Sequence, residues 1–201
     1  MMAAMAVFCL VAGIICGQLD SSGMVIGFFS ESADFILYAL MFFVGISVGA
    51  NRSVFAKIRQ YHLKILIIPL GIIFASVVAG AFCAPLLGLE YGHSMAVSSA
   101  LGWYSLSGVM ITELGSADMG ATAFLSSLLR EILSFAAIPL IAKYLNPYTT
   151  IAPAAATSED TTLPAILKYG GAETAVMAVF NGVLCSAAVP FLIEFFMSLG
   201  F

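Results

Sequence analysis

The sequence predicts an all-α polytopic membrane protein, with about five full transmembrane helices plus two broken or re-entrant segments in a single transmembrane domain over residues 1–201. Three observations carry that prediction. The chain of 201 residues is 62% hydrophobic and 9% charged, whereas soluble domains carry about 25% charged residues. Its mean hydropathy is +1.09. Long uncharged stretches alternate with short polar breaks, and none shows the period-2 alternation of a transmembrane β-barrel. Seven Lys and Arg against eleven Asp and Glu give a formal charge of −4. That balance leaves no basic surface for nucleic acid and no polybasic tract for anionic lipid.

Segment one runs over about residues 3–17 and segment two over 35–50; both are short for a bilayer core of about 30 Å, so flanking residues must lengthen them. Segment one has no Lys or Arg before it and no signal-peptidase or lipoprotein pattern at Ile14, Ile15 and Cys16, which predicts a retained helix. The connection 18–34 carries Asp20, Glu31 and Asp34, whereas 51–64 carries Arg52, Lys57, Arg59 and Lys64. Because cytoplasmic loops retain Lys and Arg, residues 51–64 are expected inside, with the N-terminus. Segment three, 65–89, is uncharged and holds Pro69, Gly71, Gly80 and Pro85 as packing or kink points. Segment four, 119–145, is long enough to span but carries Arg130 and Glu131 at its centre, and segment five, 174–193, has Asn181 as its one strongly polar side chain.

The stretches between these spans are not ordinary helices. Residues 94–118 are rich in serine and glycine around Trp103 and Tyr104, and 146–168 mix apolar residues with prolines and the run Thr157-Ser158-Glu159-Asp160-Thr161-Thr162. Irregular backbone at membrane depth is tolerated only where it is buried in protein or lines a cavity. A pair of interrupted segments is therefore a pointer to a midplane binding site. No residue-by-residue internal repeat supports an inverted repeat.

Arg130 and Glu131 cannot face lipid, because a charge at a helix centre costs about 2.5–3.5 kcal/mol on insertion scales. They lie about 100° apart on a helix. Glu131 is a candidate for binding substrate or protons; Arg130 is a supporting residue, or one that neutralises a buried carboxylate. Glu159 and Asp160, with Thr157, Ser158 and Thr161, form a set of oxygen ligands suited to a cation, the plainer alternative being a helix N-cap at Thr157 or Asp160. Ser105 and Ser107 can line a pathway or pack helices closely. Trp103 and Tyr104 can wall a substrate or anchor at the interface, and Asn181 can serve as helix glue or pathway. The four cysteines, Cys9, Cys16, Cys83 and Cys185, are expected as small core residues. No C-x-x-C pair occurs, and His62 and His93 fall in polar breaks, so neither metal nor cofactor is expected. No nucleophile, base and metal set points to an enzyme.

Three motifs occur in order: Gly102-Trp103-Tyr104-Ser105-Leu106-Ser107-Gly108, then Leu129-Arg130-Glu131-Ile132-Leu133-Ser134-Phe135 with Ile138-Pro139, then Ala156 to Pro164. Together they resemble the bacterial lysine exporter family of the LysO type, over nearly all of the chain. The resemblance implies an inner-membrane secondary transporter that exports L-lysine, with intramembrane acidic groups that match Glu131 and Asp160. Family members of this type carry further N-terminal helices, so the chain looks like the larger, C-terminal part of a split transporter, with a separate small membrane protein supplying the rest and a homo-oligomer as a further possibility. The implied mechanism is alternating access with exchange against protons. Burial raises a carboxylate's proton affinity and a nearby ammonium lowers it, so one carboxylate can hold either in turn. The alternatives are transport of another cation or basic amino acid, and a non-transporting accessory subunit.

Overall fold

The computed structural model describes residues 66–199 continuously and, before them, the helical positions 8, 11–13, 15, 16, 18, 35, 42 and 46. Residues Met1–Val44 form one compact unit and Gly45–Phe201 another. Segments one and two are described only at those helical positions, and the basic stretch 51–64 with His62 lies outside the described residues.

Within the second unit, α1 spans Ile67–Leu87 and ends at Gly88. Its 21 residues, at about 1.5 Å each, are enough for the hydrocarbon layer. Two shorter helices follow, α2 (Tyr91–Ser98) and α3 (Tyr104–Leu114). The long α4 (Ala117–Tyr144) starts where the Ser116 hydroxyl accepts a hydrogen bond from the Met119 N–H, with Asp118 in its first turn and Lys143 in its last. Both charges complement the helix dipole. Next come a 3-10 turn (Pro147–Thr150), the single turn α5 (Ile151–Ala154), a second 3-10 turn (Ala155–Glu159) and α6 (Leu163–Leu199). α6 is broken at Gly171, whose φ of 86° and ψ of 172° are open to glycine and strained for other residues. Among the described residues, α1, α4 and α6 are long and apolar enough to cross a membrane, as expected of segments three, four and five. Their outward faces carry Phe74, Phe82, Leu86, Leu140, Phe191 and Phe195, suited to lipid.

The two interrupted segments are helical hairpins. Arg130 of α4 bonds Ser76 of α1, and Ile68 near the start of α1 lines one cavity with Asn146 beyond the end of α4. The start of α1 and the end of α4 therefore lie at the same end of the bundle. The opposite end holds both the α1–α2 turn and the α3–α4 turn, so α2 descends to mid-depth and α3 returns. Close packing lines up each arm: Gly80 of α1 sits against Ser94 and Ser98 of α2, and Gly108 of α3 against Phe124 and Gly120 of α4. The second hairpin enters from the Lys143 end through Pro147–Glu159 and returns through Leu163–Gly170, since Gly170 lies beside Thr150. After Gly171, α6 crosses the whole bundle, ending with Met197 against Gly115.

The hairpin tips meet. The Ala156 N–H donates to the Leu101 carbonyl at 3.1 Å, and a side chain at Gly102, φ +95°, would lie 3.4 Å from Thr157 and 3.7 Å from the Ala154 carbonyl. Gly102 is thus needed for its backbone conformation, while a side chain there would make ordinary contact with the second tip. Side chains from α4 and α6 hold the second tip. Arg130 Nε donates to the Pro153 carbonyl at 3.1 Å and the Ser134 hydroxyl lies 2.8 Å from the same oxygen. Asn181, fully buried, donates to the Ala155 carbonyl and to Ser158 Oγ, both at 3.0 Å. Ser158 also lies 2.8 Å from the Ala178 carbonyl. Behind the tip, Phe180 and Val183 pack with Leu66, Met177 and Leu184.

Three details depart from the sequence reading. The first hairpin starts at Tyr91 rather than at Ser94, because α1 stops at Leu87, and it is over by Leu114 because Ser116 caps α4. The second hairpin extends to Gly171 because the return arm is helical. Among the described cysteines only Cys185 is a core residue, while Cys16 and Cys83 are exposed; a thiol is apolar enough to sit on an outward face.

Two stability outcomes follow from this packing. A side chain at Gly182 would meet the Glu159 Cβ at 2.5 Å and its backbone nitrogen at 2.6 Å, whereas at Gly71 nothing lies within 4 Å. Gly182→Ala is expected to lower thermal stability in detergent by about 1–3 kcal/mol, while Gly71→Ala leaves it unchanged or slightly raised. Asn181→Ala removes the donor to Ser158 Oγ and one of the two donors to the Ala155 carbonyl, which also accepts from Ser158, and is expected to cost about 1–3 kcal/mol, read in the same melting assay.

Candidate functional site

The tip contact places Glu131 where its chemistry can be used. The residue sits midway along α4 and is 2% exposed. The Thr161 hydroxyl of the second tip lies beside its carboxylate, and Asp160 is within electrostatic reach. Glu131 Oε2 and Thr161 Oγ1 are both buried, and neither has a hydrogen-bond partner among the described residues. Buried polar atoms in native structures are as a rule satisfied, and the Thr161 hydroxyl is within reach to donate to the Glu131 carboxylate, so this pair either closes on itself or admits a polar ligand or water between its members. Asp160 is exposed at the edge of the same tip and accepts from the Thr161 N–H. Tyr104, at the start of α3, stands within electrostatic reach of both acids and packs edge-on against Phe124 at 5.4 Å between ring centres. The first and second tips and α4 thus gather Tyr104, Glu131, Asp160 and Thr161 into one acidic, hydroxyl-bearing site. Its charge favours a cation and its open oxygens accept N–H donors.

The other candidates divide around it. Glu159 turns away from this site toward α6, where its Oε1 accepts from the Ser186 hydroxyl at 2.7 Å and Gly182 leaves it room. Thr157 and Thr162 tie the tip to itself: the Thr157 hydroxyl donates to the Ala154 carbonyl and that of Thr162 to the Thr157 carbonyl, each at 2.9 Å. The N-cap alternative for Thr157 therefore does not apply, and Asp160 holds the residue next to it rather than the first turn of α6. Ser158 and Asn181 act as a staple across the second tip through the bonds given above, with Asn181 in the part of helix glue. Ser107 is buried and its hydroxyl turns back to the Tyr104 carbonyl at 3.5 Å. Ser105 is exposed on α3, and Trp103 occupies the position just before that helix.

Arg130 leaves the Glu131 site altogether. Its guanidinium bonds the Pro153 carbonyl and the Ser76 hydroxyl, the latter at 3.2 Å, and faces a cavity of about 940 Å³ between α1, α2, α4 and the entry to the second hairpin. Among the described residues the one ion pair is His93 with Glu90, at 3.2 Å near the start of α2. Arg130 therefore does not neutralise a carboxylate there.

Sequence reasoning missed Ser76, Pro153, Gly182 and Ser186. Gly182 and Ser186 lie one and five residues beyond Asn181, a small-residue face that marks close approach in membrane helices. Ser76 and Pro153 had no such signal, since their role depends on which helix Arg130 meets.

Residues 7–197 match the family described as lysine exporter LysO. The lysine exporter LysO of Escherichia coli is 32% identical over 167 residues, covering 83% of this chain and 55% of that protein. A protein of Haemophilus influenzae named "Putative lysine exporter" is 34% identical over 190 residues, covering 94% of each. The chain thus spans about half the length of the first relative and nearly all of the second. No solved structure matches it. With a family match across almost its whole length and motifs that fall at the tips and midpoint of this fold, the chain belongs to the lysine exporter LysO family.

Proposed function

We propose that the chain is a secondary transporter that exports L-lysine across the inner membrane in exchange for protons. The observation that carries this reading is the buried Glu131 carboxylate, open at Oε2 and facing the open Thr161 hydroxyl beside Asp160, in a chain of the lysine exporter family. A lysine ammonium supplies three N–H donors and a positive charge to such a site. In the proposed exchange a proton takes the place of the ammonium at the site when no substrate is bound. Competition of ammonium and proton for one pair of acids is sufficient for exchange when the site opens to each side in turn.

The charge distribution supports the orientation. Lys143 and Lys168 lie at the end of the bundle where α1 begins, whereas Glu90, Glu113, Asp118 and Glu194 lie toward the other. Basic residues mark the cytoplasmic side. In that orientation the first hairpin enters from outside and the second from the cytoplasm, so each access route is bounded by one movable tip.

The test is lysine efflux from cells that lack their own exporter, loaded with a lysine dipeptide, expressing this chain alone and together with any small membrane protein encoded beside it. Glu131→Gln and Asp160→Asn are each expected to reduce efflux by about tenfold or more with the protein still present in the membrane. Retained efflux in both variants contradicts the assignment of the acids. Absence of lysine efflux from the unaltered chain in both settings contradicts the export reading.

A further inference from the structure

Arg130 has a role that the acidic site leaves unexplained. It is the one charged side chain among the described residues lining the cavity of about 940 Å³, whose other polar lining includes Ser98, Ser126, Asn146 and Thr149. A guanidinium at the middle of a membrane helix is costly unless an anion or a set of acceptors meets it. Here Nε is taken by the Pro153 carbonyl and Nη1 by Ser76. These two bonds fix the plane of the group. They leave further N–H donors of its five for a ligand, in the fork arrangement that matches a carboxylate. The Asn146 side-chain oxygen accepts from the Thr149 N–H at 3.0 Å, so its amide N–H₂ is available as an additional donor.

Position adds a second argument. Arg130 and Glu131 are neighbours on α4 yet serve opposite sides of the tip contact: a side chain built at Gly102 would lie 3.9 Å from Arg130 Cδ, while Glu131 meets Thr161 and Asp160. Adjacent positions of one helix therefore present a positive group to the cavity and a negative group to the buried site beside Thr161 and Asp160. A zwitterionic amino acid with a cationic side chain carries that same pair of opposite charges. An inorganic cation has no use for the first, and a diamine has no group for it.

We propose that the Arg130 cavity is the subsite for the α-carboxylate of the amino-acid substrate. This inference rests on the export reading and adds to it that the carrier selects an amino acid rather than any organic cation. Arg130 anchors the carboxylate end, and the bonds to Pro153 tie that anchor to the second hairpin, so loading of the subsite is felt at the tip that carries Asp160 and Thr161.

The experiment uses the full chain, with its companion protein if the efflux assay shows one to be needed, reconstituted in proteoliposomes with radiolabelled lysine. Unlabelled lysine and cadaverine, which is lysine without its carboxylate, are compared as competitors, with sulfate replacing chloride in a parallel set. In the unaltered protein cadaverine is expected to compete about tenfold or more weakly than lysine. In Arg130→Gln the two competitors are expected to become equivalent, and Arg130→Lys to restore part of the difference. Equal competition by cadaverine in the unaltered protein overturns the inference without any variant. So does a lysine-to-cadaverine ratio unchanged in Arg130→Gln, or a preference that disappears when chloride is removed, which would assign the cavity to an inorganic anion. Lysine flux that is absent from the unaltered protein is a different result, and it removes the export reading itself.

Discussion

The fold depends on how the chain satisfies backbone polar groups where two helical hairpins end inside an apolar layer. Each tip exposes carbonyls and N–H groups that a continuous helix would have paired, and lipid offers no replacement. The protein solves this by bringing the tips together and binding them from the flanking spans. Ala156 pairs with Leu101, Arg130 and Ser134 meet the Pro153 carbonyl, and Asn181 meets the Ala155 carbonyl. Arg130 and Ser134 of α4 and Asn181 of α6 therefore occur at the height where the helical hydrogen-bond pattern is interrupted.

The same constraint creates the functional chemistry. Once irregular backbone is fixed at mid-depth, side chains such as Thr161 and Asp160 can be presented inside the bundle at a place no regular helix would offer. Glu131 and Thr161 keep open hydrogen-bonding atoms there, while the residues of the staple use theirs. Engaged and open groups thus lie within a few residues of one another: Ser158 is consumed by the fold, Glu159 is engaged with Ser186, and Asp160 remains exposed at the edge of the tip. Arg130 belongs to both sets, holding Pro153 with one edge and facing the cavity with another.

Much of this was legible in the amino-acid sequence, for physical reasons that also explain what was not. Apolar stretches long enough to cross the bilayer identified α1, α4 and the main part of α6, and the serine-, glycine- and proline-rich composition identified the two interruptions. Glu131 stood out because a buried carboxylate needs a reason, and Asp160 because it falls within an interruption. What composition cannot convey is which element meets which. The partition of Glu159 and Asp160 to opposite sides of one tip, the separation of Arg130 from its neighbour Glu131, and the consumption of Thr157 and Ser158 by local hydrogen bonds all arise from tertiary contacts 20 or more residues apart in several cases, such as Asn181 with Ala155. The ends of the first hairpin were displaced because Gly88 and Ser116, single residues at helix ends, set them rather than any periodic pattern.

The central claim is that the two tips meet within the membrane, and proximity measures it most directly. In a background lacking Cys9, Cys16, Cys83 and Cys185, cysteines introduced together at Leu101 and Ala156 can be treated in native membranes with a short bifunctional thiol reagent. A protease site placed between α3 and α4 then separates the two halves. The account predicts that cleavage leaves the halves joined, because the backbones at these positions are within hydrogen-bonding distance, and that cysteines at Leu101 and Leu199 stay unjoined. Separation of the halves in the Leu101 and Ala156 pair, with both thiols shown to be reactive, would contradict it.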